Sequence, residues 1–250
     1  MNKVNRDKNL KKTVFITGAT SGIGRAITLR FANKGWNIIC HYYSNEVEAQ
    51  KLKKIIANQG VNCYLLKTNL SEKRQIRSIA DNLKEFQIDS IVNNAGTYMV
   101  SKHFSELTID DISKTFMVNV FAPIVLTSSI FLSMKERRFG RIVNISSIAA
   151  KYGGSSYSMH YGCSKLAIEG VTKTLAKEGA EYNVFVNTVR AGVIDTEFHK
   201  KFPKDMKKRI EIVPLKKMGS PHDIADMVYY LGSDKNNYIT NETITIAGGE

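Results

Sequence analysis

Residues 13–24 read Thr13-Val14-Phe15-Ile16-Thr17-Gly18-Ala19-Thr20-Ser21-Gly22-Ile23-Gly24. The first five are β-branched or aromatic, a short buried-strand signal. Three glycines follow at once, and behind them Ile23, Ala26, Ile27 and Phe31 recur at helical spacing. Strand, glycine turn and helix in that order give the glycines a meaning that a loose glycine cluster lacks. Gly18 suits the tight turn, Gly22 lets the backbone approach a pyrophosphate, and Gly24 lets the helix pack close to the strand. The first amides of the helix then face an anion. The spacing is Gly-x-x-x-Gly-x-Gly, so the stretch alone does not exclude a plain glycine-rich turn.

Working outward, the same alternation continues. Strands are expected over 36–42, 61–67, 88–93, 141–145, 184–189 and 243–247, with helices opening at about 44, 108 and 220, one over about 72–85, and one carrying Tyr161 and Lys165 that runs to about 182. Alternating strands and helices of this length imply parallel β-α-β units with right-handed crossovers. The fold class is α/β: one Rossmann-type, doubly wound parallel sheet flanked by helices. Residues 1–11 form a polar tail and 12–250 a single domain, with a substrate lid at about 195–218. Helix starts are expected at Asn45, Thr108 and Ser220, each followed three residues on by an acidic side chain. Pro123 predicts a kink in the helix that carries Asn119. In such sheets ligands bind at the carboxyl ends of the strands. The glycine turn, Asn69 and Asn93-Asn94-Ala95-Gly96 all fall at those ends.

The charge is +13, from 36 Lys+Arg against 23 Asp+Glu. No helix-turn-helix, zinc-finger or aromatic RNA-binding motif accompanies it, so it reads as a lysine-rich solvated surface, not a nucleic-acid interface. No apolar run long enough to cross a bilayer and no secretory leader is evident. Cys40, Cys63 and Cys163 lack ligand-like spacing, which points to a reducing, cytoplasmic setting without a metal site.

Tyr161 and Lys165 stand four apart in a helical segment, so they share one face. A cation beside a phenol favours the phenolate, and this predicts a tyrosine whose pKa is lowered toward neutrality. Tyr98 and Lys102 repeat the spacing in a loop after Gly96 and are expected at the surface. Cys163 is expected to be inert packing.

With these motifs together the chain resembles the short-chain dehydrogenase/reductase family over about Lys12 to Gly249. The resemblance rests on Thr17-Gly18-x-x-x-Gly22-Ile23-Gly24, Asn93-Asn94-Ala95-Gly96, Asn119, Ser147 and Tyr161-x-x-x-Lys165. It is most similar to the 3-oxoacyl-[acyl-carrier-protein] reductases, through Arg138-Phe139-Gly140-Arg141 and Gly219-x-Pro221-x-Asp223. The resemblance implies an NAD(P)-dependent oxidoreductase of the fatty-acid synthesis type. Tyr161 would give a proton to a carbonyl oxygen, and Lys165 would lower its pKa and hold a ribose. Ser147, preferred over Ser146, would bond the substrate oxygen, and Asn119 would hold a water. The cofactor would meet Gly18, Ser21, Gly22, Ile23, Gly24, Ser44, Asn69, Leu70, Asn93, Ala95, Gly96, Ile194 and Thr196, besides Tyr161 and Lys165.

The end of the second strand reads His41-Tyr42-Tyr43-Ser44-Asn45, with no carboxylate before Glu46. An acidic residue there would select NAD by binding a ribose hydroxyl, so NADP(H) is favoured over NAD(H). The arginine that many NADP-using relatives carry is absent. Ala191-Gly192 replaces the usual Pro-Gly, and Tyr182 stands where a basic carrier-docking residue is expected. The implied partners are a small-molecule or carrier-protein-linked carbonyl substrate and further copies of the chain in a homotetramer. Another ketone, whether of a sugar, a steroid or a secondary metabolite, is the alternative substrate. A cofactor-bound regulatory protein without catalysis is the alternative of a different class.

Overall fold

The computed structural model describes residues 11–198 and 205–250. The expected tail falls almost wholly outside them, as does the part of the lid at 199–204, including Phe202.

Seven parallel strands form one sheet in the order β3-β2-β1-β4-β5-β6-β7. They are β1 (Thr13–Ile16), β2 (Asn37–Tyr42), β3 (Cys63–Lys67), β4 (Ser90–Asn93), β5 (Gly140–Ser147), β6 (Val184–Ala191) and β7 (Thr243–Ile246). Among the described residues the α-helices are α1 (Gly22–Ala32), α2 (Glu46–Ala57), α3 (Lys73–Leu83), α4 (Ile109–Phe116), α5 (Ala122–Glu136), α6 (Ile148–Tyr152), α7 (Met159–Ala180), α8 (Met206–Ile212) and α9 (Pro221–Gly232). The doubly wound α/β class expected from the sequence is the one observed.

Both sheet faces are covered, so central strands are apolar throughout instead of alternating. Val14 and Ile16 of β1 join a core with Ile27, Phe31, Leu52, Ile56, Ile224 and Val228, from α1, α2 and α9. Phe15, between them, points the other way into a core with Ile76, Leu83, Leu126, Met134 and Ala176, from α3, α5 and α7. Complete burial of an aliphatic side chain stabilises by about 2 kcal/mol, and such pairs hold each helix layer in place.

Thr108 with Asp111, and Ser220 with Asp223, form reciprocal capping boxes. Asn45 accepts from the Glu48 amide without the return bond. The expected kink near Pro123 takes a different form. Met117–Phe121 is a π-turn joining α4 to α5. Pro123 falls in the first turn of α5, where a missing N–H costs little. The stretch Ile109–Glu136 has the length and hydropathy of a membrane span, against expectation, and half of its most apolar window is buried inside the protein. Two strands run further than predicted, β5 to Ser147 and β6 to Ala191, and the short helix α6 occupies the expected loop.

Candidate active site

The site lies along the carboxyl edge of the sheet and is built first from the glycine turn. Gly18 and Gly22 have φ of 63° and 50°, which favours glycine. A Cβ on Gly24 would lie 1.9 Å from the Gly18 carbonyl oxygen, so helix and turn touch there without room for a side chain. Thr17 and Asn94 brace the turn against the end of β4. The Thr17 hydroxyl accepts from the amides of Asn94 and Ala95, both at 2.9 Å, and the Asn94 amide donates to the Thr17 carbonyl at 2.9 Å. A third brace is His41, whose Nδ1 accepts from the Gly18 N–H at 3.1 Å. Nε2 therefore carries the proton and donates to the Thr68 carbonyl at 3.0 Å. Burial pushes this imidazole down to about 4, which keeps it neutral.

The first backbone bond of α1 runs from Arg25 to Ser21, so the amides before it have no intrahelical acceptor. Ser21 is exposed, and its hydroxyl makes no capping bond. Thr196 closes over the turn: a Cβ on Gly22 would come within 3.3 Å of its methyl group. These features make a cradle for an anion. At the end of β2, Ser44 is exposed, while Glu46 is held by the Tyr42 hydroxyl at 2.6 Å and by Gln50 at 3.0 Å. Asn69 spends its side-chain oxygen on Ser71, and Leu70 is buried in the core. Ile194 is buried where the chain bridges to Gly219.

Further along the edge, α7 supplies Tyr161 and Lys165. Lys165 is 4% exposed, and its ammonium donates to the Ile145 carbonyl at 2.8 Å. Burial pushes it down to about 8. Gly96 lies directly over it, since a Cβ there would sit 2.9 Å from the ammonium nitrogen. Asn119, in the π-turn, receives the Thr97 N–H at 2.9 Å and donates to the Thr97 carbonyl and the Ser164 hydroxyl at 2.7 and 2.9 Å. Both of its donors are spent, and one oxygen lone pair remains for a water. β5 separates the two serines by strand alternation. Ser146 is buried and turned toward α7, while Ser147 lies against the Tyr161 phenol and caps α6.

A family profile described as enoyl-(acyl carrier protein) reductase matches residues 18–250. The 3-oxoacyl-[acyl-carrier-protein] reductase of Aquifex aeolicus is 35% identical over 242 residues, 95% of this chain and 96% of that protein. The chain belongs to the short-chain dehydrogenase/reductase family, a family of oxidoreductases. Among solved members, a blue fluorescent protein from a metagenomic library, in complex with NADPH, superposes with a TM-score of 0.88 at 30% identity, covering 97% of this chain and 99% of that one. A 3-oxoacyl-(acyl-carrier-protein) reductase of Agrobacterium tumefaciens with NADP bound gives 0.87 at 25% identity, over 96% and 94%.

Several expectations for this short-chain dehydrogenase/reductase need correction. Tyr98 is not a surface residue: it is 3% exposed, with its ring centroid 5.7 Å from that of Tyr161 and 5.8 Å from that of Phe198. Burial, with the neighbouring Tyr161, pushes it up to about 12. Lys102 pairs with Asp111 at 3.0 Å instead of with Tyr98. Cys163 is exposed, not packed. The Asn93 side chain is turned into the sheet, onto Thr127 and Asn144, and only its backbone reaches the edge. Tyr161 is not lowered: burial raises it, and the Ser147 hydroxyl offsets this in part. The reason is that the Lys165 ammonium goes to a carbonyl and stays 5.7 Å from the tyrosine ring centroid. Thr17, His41 and Asn94 stand inside the quoted motifs, but their bracing role is not legible there, because it joins segments distant in the chain.

Proposed function

We propose that this chain is an NADPH-dependent ketoreductase that converts a 3-oxoacyl thioester to the 3-hydroxyacyl thioester. One observation carries the reading: Tyr161, with Ser147 against its phenol, shares a sheet edge with the anion cradle of α1. Bound NADPH would supply a hydride to the carbonyl carbon. Tyr161 then gives its phenolic proton to the carbonyl oxygen, and Ser147 donates a hydrogen bond to that oxygen as charge develops. The raised pKa keeps the phenol protonated at neutral pH, the state that reduction needs. Lys165 would hold the ribose, and Asn119 fixes Thr97 and so the turn above Lys165.

NADP(H) over NAD(H) is supported by the occupied Glu46 carboxylate and the exposed Ser44 at the end of β2. A 2′-phosphate meets no free acid there. The thioester reading is supported by the Aquifex relative and by Lys135 and Arg138, which lie 4.2 and 6.0 Å from the Tyr182 ring centroid. These cations flank the place where a basic carrier-docking residue is missing. The test is turnover of an acetoacetyl thioester with NADPH and with NADH. NADPH turnover at least tenfold more efficient supports the proposal, and activity confined to free ketones removes the thioester.

A homotetramer is part of the same reading, in a cytoplasmic setting. The π-turn leaves Phe121 46% exposed, α5 leaves Val125 and Leu132 38% and 66% exposed, and α7 leaves Leu166 57% exposed. Val125 and Leu132 stand seven apart on one helix face, so a second copy can cover them together. Leu132→Glu is expected to reduce the assembly to one or two chains in size-exclusion light scattering. A wild type already running as a single chain would overturn this.

A further inference from the structure

Two rows of polar side chains cross the sheet on the face covered by α5 and α7. In the first, Asn93 bridges Thr127 and Asn144 at 3.1 and 2.8 Å, Asn144 donates to Thr172 at 2.9 Å, and Thr172 meets Thr188 at 2.7 Å. The second lies two residues further along β5 and β6, nearer the carboxyl edge, and is charged. Arg190 stands in register between Ser146 and Thr245. Its Nε and Nη2 grip the Glu169 carboxylate at 3.0 and 2.6 Å, and Nη1 donates to Thr245 at 3.3 Å. The Ser146 hydroxyl lies 2.7 Å from Glu169 Oε1 and 3.1 Å from the Lys165 carbonyl oxygen. The Glu169 and Arg190 side chains are only 7% and 18% exposed.

A buried ion pair is a weak device for stability, because apolar side chains of similar size often do as well. Its rigidity is another matter, since a bidentate grip with a third hydrogen bond allows one arrangement. What it joins is specific. Glu169 is one helical turn beyond Lys165 on the same face of α7. Arg190 directly precedes Ala191-Gly192, where β6 turns into the segment carrying Ile194 and Thr196. That turn lacks the proline that would stiffen it.

We propose that Glu169 and Arg190, linked through Ser146, are positioning residues that fix Lys165 and the Ala191–Gly192 turn relative to one another. The proposal rests on the proposed function, in which Lys165 would hold the ribose and Ile194 and Thr196, just beyond this turn, would meet the cofactor. Displacement of a reacting group by about 1 Å can cost a hundredfold in rate, so a clamp of this kind acts on kcat before it acts on binding.

The test compares Glu169→Leu, the double variant Glu169→Leu/Arg190→Met, and Ser146→Ala. Thermal midpoint, kcat on any carbonyl that the wild type reduces, NADPH affinity and the fluorescence of bound NADPH are measured. The single Glu169 variant is expected to lose stability, because it strands a buried guanidinium. The double variant is expected to regain the wild-type midpoint and bind NADPH within about threefold, yet stay about tenfold or more low in kcat. The fluorescence gain of bound NADPH is expected to fall with it. A double variant that regains both midpoint and kcat overturns the proposal, since the pair would then be structural only. Should the double variant not fold, Ser146→Ala decides: kcat at least threefold low at unchanged NADPH affinity supports the clamp, and wild-type kcat overturns it. If the wild type reduces no carbonyl, the substrate reading fails, while the fluorescence comparison still decides the clamp.

Discussion

Tyr161→Phe is expected to lower kcat by about three orders of magnitude while NADPH affinity stays within about threefold. The substitution removes one oxygen. The ring keeps its contacts with Tyr98 and Phe198, at 5.7 and 6.0 Å between centroids, so the pocket wall survives. A general acid typically contributes between a hundredfold and ten-thousandfold, and the phenol is the only part of the site assigned that task. Tyr98 is a poor substitute, because burial and its neighbour hold it up to about 12 and its spacing partner Lys102 is engaged with Asp111. Steady-state kinetics beside a fluorescence titration separate the two effects. Retention of more than a tenth of wild-type kcat would show that another group delivers the proton.

Lys165→Met is expected to have effects of opposite sign on activity and stability. Removing the cation proposed to hold the ribose should lower kcat/KM by at least about a hundredfold. Yet the ammonium is buried at a cost: its pKa falls from 10.5 to about 8 with burial as the cause. That shift corresponds to about 3 kcal/mol against folding in the cofactor-free chain. Losing the hydrogen bond to the Ile145 carbonyl returns about 1 kcal/mol, which leaves a net gain of about 2 kcal/mol and a midpoint about 5 °C higher. The sign follows from linkage. Between pH 8 and 10.5 the unfolded chain holds a proton that the folded chain has released, so wild-type stability rises with pH across that window. Below pH 8 both states are charged and the full penalty stands. The variant's advantage should therefore be constant at neutral pH and shrink toward pH 10.5. Calorimetry at pH 7 and pH 10 measures it, and a variant less stable than wild type at pH 7 contradicts the account.

What could be read from the sequence is what depends on neighbours along the chain. The glycine turn, the Thr108 and Ser220 caps and the placement of motifs at strand ends needed only local spacing, and the structure places them accordingly. The preference for Ser147 over Ser146 came from family likeness, although alternation on a strand extended to 147 would have separated them physically. Features made by distant segments were not legible. Tyr98 and Tyr161 have the same tyrosine–lysine spacing, and it is packing against α7 and Phe198 that buries the first. The direction of the Tyr161 shift is not legible either, because spacing on a helix brings two side chains to one face without deciding where the longer one points. The π-turn at Met117–Phe121 leaves no mark in composition, since one extra residue in a turn looks like any other.

The strand order has a consequence for how the molecule comes into being. β1 pairs with β2 early in synthesis, but its other edge stays bare until β4 arrives, when Phe15 meets Ile91. The brace on the glycine turn comes no sooner, because Asn94 directly follows β4. The cover from Thr196 comes later still, after β6 is laid down. Contacts of such long sequence separation make folding slow. No chain that stops before Thr196 holds the finished cradle, so a ligand bound there recognises molecules in which β1, β4 and β6 have already come together. By mass action it would add about 2.7 kcal/mol to the free energy of unfolding at a hundred times its Kd. Supply of the ligand would thus govern how much of the newly made protein persists, quite apart from how fast it turns over.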